Sequence, residues 1–72
     1  MPLLFAPKDQ DLRIVSVHGE AKVNNHLASL GIVEGGVIRL IDDANGAAIV
    51  QVKGSRLGLD HKVSMSIMVA VA

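Results

Sequence analysis

The chain has 72 residues, half of them hydrophobic and 19% charged, with seven Lys and Arg against seven Asp and Glu and one aromatic residue, Phe5. That length holds one small domain, residues 1–72, and the aliphatic content with zero net charge is unlike a disordered segment. The longest uninterrupted apolar run, Ile67 to Ala72, falls far short of the roughly 18 residues of a membrane span.

The first six residues, Met1 to Ala6, are apolar but lack a preceding basic region and are too short for a secretory leader, so the expectation is a cytoplasmic protein without direct membrane insertion. Lys8-Asp9-Gln10-Asp11 reads as a polar turn. Leu12 to His18 follows as a β-rich first strand, its alternation blurred because Val15 is apolar alongside Ile14. From Glu20 to Leu30 the period changes. Val23, Leu27 and Leu30 lie at i, i+4 and i+7, the stripe of a three-turn helix, and Gly31 stands where a left-handed C-cap is wanted. Glu20 is expected in the first turn, where the helix dipole favours negative charge.

The remainder reads as β. Val37 to Ile41 and Ala47 to Lys53 are strands joined by the loop Asp42 to Gly46, whose Asn45-Gly46 pair is a strong hairpin signal. Ala48, Val50 and Val52 share one face. Gly54-Ser55 turns into a strand carrying Leu57 and Leu59, Asp60 to Ser64 suits a helical turn or a loop, and Ile67, Val69 and Val71 alternate in a closing strand. About five short strands with one early helix predict a mainly β, partly open small barrel.

Little in this chain points to catalysis. Without cysteine there is no disulfide, thiolate metal site or cysteine nucleophile. Gly31-Ile32-Val33-Glu34-Gly35-Gly36 follows a helix and precedes a strand, the reverse of a phosphate-binding loop, and no Lys-Ser/Thr pair comes after it. No serine has a nucleophile context, so neither a catalytic residue nor a cofactor is assigned. His18, His26 and His61 are too far apart in sequence for a helical zinc pair. A composite site with Asp42, Asp43, Asp60 or Glu34 stays open as a divalent-metal carrier reading, with no metal ligand assigned. Lys22, Lys53, Arg56 and Lys62 could form only a weak basic patch, and one Phe makes no stacking platform, which argues against nucleic acid. Leu3, Leu4, Phe5, Ile32, Met65 and Met68 are the apolar residues available to a partner surface if the core leaves them outside.

One ordered pattern goes further. Arg13-Ile14 and Gly19 are followed by Leu27-Ala28-Ser29-Leu30-Gly31-Ile32, then Gly35 and Ile38, then Val50, Val52, Gly54, Leu57 and Leu59, and last Ile67 and Val69. Spread over Leu12 to Val71, it resembles the FeoA family of small cytosolic accessory proteins of bacterial ferrous iron transport. The resemblance implies an SH3-like barrel with its helix inserted after the first strand, in which Leu27 and Leu30 plug the barrel. It also implies a module without catalytic activity that associates with a large membrane permease carrying a cytosolic GTP-binding domain. The same module closes certain iron- or manganese-dependent repressors, but no helix-turn-helix precedes it here, so the expectation is the accessory protein. Asn24, Asn25 and His26 stand where many family members carry basic residues, and Lys8 to Asp11 replaces a usual glycine turn. By analogy with SH3-like modules, which bind beside their loops, the docking residues expected are Lys22, Asn25, His26, Ser29 and Glu34. Weak self-association through the closing strand Ile67 to Val71 is the remaining alternative.

Overall fold

A computed structural model describes all of residues 1–72. A single turn of 3-10 helix at Leu3–Phe5 leads to strand β1 (Asp11–Val17), helix α1 (Ala21–Ser29), strands β2 (Val37–Ala44), β3 (Ala47–Val52) and β4 (Ser55–Leu59), helix α2 (His61–Ser66) and strand β5 (Ile67–Val71). All five strands pair antiparallel in the order β4-β3-β2-β1-β5. The sheet curls into a barrel that stays partly open because β4 and β5, its two outer strands, do not pair with each other. This is the mainly β, SH3-like architecture expected, with its helix inserted after the first strand.

The alternating faces place the core as the sequence predicts. Ala48, Val50 and Val52 are buried from β3, Leu12 and Ile14 from β1, Ile38 and Leu40 from β2, and Ile67 and Val69 from β5. The blurred alternation of β1 has a local cause. Its register against β5 shifts between Ile14 and Ser16, so Val15 is the extra residue of a β-bulge and is left 46% exposed. A second shift between Leu40 and Asp42 makes Ile41 the extra residue of β2, and it stays half-buried.

Several boundaries differ from expectation. The loop expected at Asp42 to Gly46 is mostly strand: β2 runs on to Ala44, and only Asn45-Gly46 turns, both with positive φ. Those extra β2 residues are exposed, so no burial pattern announces them. Of the two readings open for Asp60 to Ser64, a helical turn or a loop, the helical one holds and runs further than one turn: the segment opens α2, whose N-cap Asp60 accepts a hydrogen bond from the Val63 N–H at 2.8 Å. Of the apolar residues considered for a partner surface, Leu3 and Ile32 are fully buried and Leu4, Met65 and Met68 are half-buried, leaving Phe5 as the exposed one. The polar turn before β1 manages without glycine because Asp9 takes the left-handed conformation, φ 62°, that aspartate tolerates.

Helix α1 begins one residue later than expected. Glu20 is its N-cap rather than a first-turn residue, and its side chain makes no capping bond. The C-terminus is built as the sequence predicts. Gly31 has φ +96°, its N–H bonds to the Ala28 carbonyl, and the Ile32 N–H bonds to the Leu27 carbonyl. This paired closure brings buried Ile32 back against buried Leu27. Ile32, not Leu30, completes the plug; Leu30 is only half-buried.

Candidate partner-docking surface

Lys22, Asn25, His26 and Ser29 are all exposed. Their spacing of three, four and seven positions puts them on one stripe of α1, away from the stripe of Val23 and Leu27 that faces the barrel. The sequence thus divides the helix between two jobs: one stripe holds it to the barrel, the other is displayed. The Ser29 hydroxyl donates to the His26 carbonyl within the last turn, which fixes the end of the displayed stripe. A further tie to the barrel is weak, with the Asn24 amide donating to the Val17 carbonyl at 3.4 Å while its buried Oδ1 has no partner.

Glu34, the fifth expected residue, is exposed but lies off this stripe, in the loop between Gly31 and β2. There it lines an open groove of about 710 Å³ that starts where α1 ends. The loop forms one wall and the β3–β4 turn, Lys53-Gly54, contributes the other. Val33 and Val37, 41% and 54% exposed, give the groove apolar contacts, while Lys53 and an Arg39–Asp11 ion pair of 2.8 Å supply charge. The structure therefore groups four of the expected residues on one face and places the fifth on a neighbouring concavity. Val33 and Val37 had no docking role in the sequence reading, and Lys53 had one only as part of a weak basic patch, not beside this groove. The two valines flanking Gly35-Gly36 were a visible signal, but the approach of the β3–β4 turn is tertiary and leaves no local pattern.

The histidines sit on three different elements. His18 hydrogen-bonds Ser16 through Nε2 at 2.7 Å, His61 approaches the Gly46 carbonyl through Nδ1 at 3.2 Å, and His26 is on α1. No three His, Asp or Glu side chains converge to hold a metal ion in a single copy. Asp42 and Asp43, two of the candidate oxygen donors, are engaged by Lys8, at 3.5 and 2.9 Å. The hydrogen bond and charge of Asp43 raise the Lys8 pKa above its ordinary value, and the same contacts lower the Asp43 carboxyl. The open side of β5, proposed above for self-association, is already occupied near its middle. The Val69 N–H donates to the Met1 carbonyl at 2.8 Å, Met1 N donates to the Val69 carbonyl at 2.9 Å, and Pro2 bridges Met68. No helix is long and apolar enough to cross a membrane.

Comparison with known proteins adds to this geometry. Residues 1–71 match the family model described as the FeoA domain. The chain is 29% identical over 68 residues to a Methanocaldococcus jannaschii protein named "Putative Fe(2+) transport protein A", covering 94% of this chain and 83% of the relative. The solution structure of the FeoA protein from Chlorobium tepidum superposes with a TM-score of 0.88 at 23% identity, over 99% of this chain and 70% of that one. A crystal structure of an iron uptake regulatory protein (FeoA) gives 0.84 at 22% identity, over 99% and 95%. ScaR with bound Zn2+ gives 0.86 at 20% identity, where this chain matches 37% of a longer one. At these identities the structural likenesses are likenesses of fold.

Proposed function

The chain belongs to the FeoA domain family, and from that premise we propose that it is a non-enzymatic accessory protein of ferrous iron uptake. In this reading it works on the cytosolic side, docking on the GTP-binding domain of a ferrous iron permease and modulating it. The observation that carries the docking surface is the displayed stripe of α1, with Lys22, Asn25, His26 and Ser29 exposed on a helix whose opposite stripe is spent on the barrel. The groove beside it, with Glu34 on its wall, extends that surface. A polar helix face next to a groove with exposed valines has the make-up of a small reversible interface, charged at its rim and apolar at its centre.

The reading is tested by calorimetric titration of the permease's cytosolic GTP-binding domain with this chain. Lys22→Glu is expected to weaken binding about tenfold, as when one cross-interface charge contact turns from attractive to repulsive. Equal affinity for wild type and Lys22→Glu would remove α1 from the interface.

A further inference from the structure

The two outer strands of the sheet are treated differently. On β5 the chain's own first residues cover the open side at Met68 and Val69. On β4 nothing does. The β3–β4 hairpin turns through Lys53-Gly54 alone, so Val52 and Ser55 are its closing hydrogen-bonded pair, and the alternation of an antiparallel ladder makes Val50–Leu57 and Ala48–Leu59 the next bonded pairs. The N–H and C=O groups of Arg56 and Gly58 therefore point away from β3. Neither residue takes part in any backbone bond outside the ladder, both are exposed, and the only atom near a Cβ built on Gly58 is Ile49 Cδ1, at 3.8 Å on the strand it already pairs with.

We propose that β4 is a self-complementary edge and that its partner is a second copy of this chain, paired antiparallel with Leu57 on the twofold axis. In that register Arg56 faces Gly58 of the other copy and Gly58 faces its Arg56. Both residues present their free backbone groups in phase, so the pair closes four N–H···O=C bonds. The side chains agree with it. Glycine opposite arginine avoids placing like charges face to face and leaves space for the longer side chain. Two positions further along the same face lies Asp60, so each Arg56 reaches diagonally towards the other copy's Asp60, within the roughly 7–8 Å that long side chains span. The Asp60 carboxylate spends Oδ1 on the Val63 N–H, and its second oxygen is available to the arginine. Leu57 is half-buried on the inner face of its own barrel, so the contact is mainly backbone and charge with little apolar area. A dimer of this kind belongs at the weak end of protein association, with a dissociation constant of about 0.1–1 mM.

Sedimentation equilibrium of the 72-residue chain from micromolar to about 2 mM, a range set by that affinity, is the test, combined with amide NMR over the same concentrations. The expected result is a mass rising from 7.6 kDa towards twice that value, with concentration-dependent shifts confined to Ser55–Asp60. Gly58→Pro removes one outward N–H per copy without touching the ladder to β3, and Arg56→Glu sets like charges against Asp60. Each is expected to weaken dimerisation at least about tenfold. If Gly58→Pro disturbs the fold, Arg56→Glu decides, because its side chain is exposed and unpaired in the monomer. A mass that stays at 7.6 kDa throughout, shifts that fall on β5 or α1, or dimerisation unchanged in folded Arg56→Glu would each overturn the proposal.

Discussion

Helices α1 and α2 solve opposite problems with almost opposite chemistry. α1 is the longer, at nine residues, yet it buries only Leu27 fully and its N-cap Glu20 makes no capping bond. α2 has six residues, but Asp60 caps it, Ser64 is fully buried, and the Ser64 hydroxyl donates to the Leu59 carbonyl at 3.2 Å. A helix this short has almost no stability of its own, so α2 exists because its end is capped and its interior is bonded into the barrel. α1 is long enough to carry a one-sided stripe and can leave the other side to solvent. The lesson is that size is a poor guide to integration here: the shorter helix is capped and bonded into the barrel, and the longer one leaves a whole stripe exposed.

That contrast can be broken from either side. The largest effect is expected from Leu27→Ala, which removes the one fully buried side chain of α1 and should cost about 2–4 kcal/mol. Because so little else holds the helix, hydrogen exchange should show α1 amides losing protection well before those of β2 and β3. Uniform loss across the sheet would mean that α1 is as integral as α2. A smaller effect separates the two N-caps. Asp60→Ala should destabilise by about 1 kcal/mol through loss of the bond to the Val63 N–H, whereas Glu20→Ala should stay within about 0.5 kcal/mol; thermal unfolding of the two variants compares them directly.

The smallest effect lies away from both helices, at the Lys8–Asp43 contact. The Asp43 carboxyl is lowered from 3.8 by the Lys8 hydrogen bond and charge, so its contribution is present above that ordinary value and is lost as pH falls through the lowered one. Lys8 is raised from 10.5, so its contribution is present below that value and is lost as pH rises through the raised one. The difference in melting temperature between wild type and Lys8→Met should therefore be small at neutral pH, and it should vanish in strong acid and strong alkali. A difference that persisted in acid would assign the stabilisation to packing of the lysine stem.

Helix α1 with its exposed stripe was legible in the sequence, whereas α2 was readable only as a helical turn or a loop, for the same physical reason. Val23, Leu27 and Leu30 mark α1 by their period and Gly31 marks its end, so the exposed stripe of Lys22, Asn25, His26 and Ser29 follows as the complement. α2 buries Ser64, a polar residue whose burial depends on a carbonyl five residues earlier, and six residues give a hydrophobic period no room to repeat. The β3 face and the Asn45-Gly46 turn were readable from alternation and backbone chemistry. The outer half of β2 was not, because Asp42, Asp43 and Ala44 are exposed in a hairpin arm without a buried face. The groove was hidden for another reason. Its walls come from a loop and a turn well apart along the chain, and only the pairing of β2 with β3 and of β3 with β4 brings them together.

The most direct test of the docking account is an amide NMR titration of this chain with the permease's cytosolic GTP-binding domain, with and without nucleotide. The account predicts saturable shifts clustered on Lys22, Asn25, His26, Ser29 and the Gly31–Gly36 loop, with α2 unmoved. No shifts at high partner concentration, or shifts centred on α2 and β4, would contradict it.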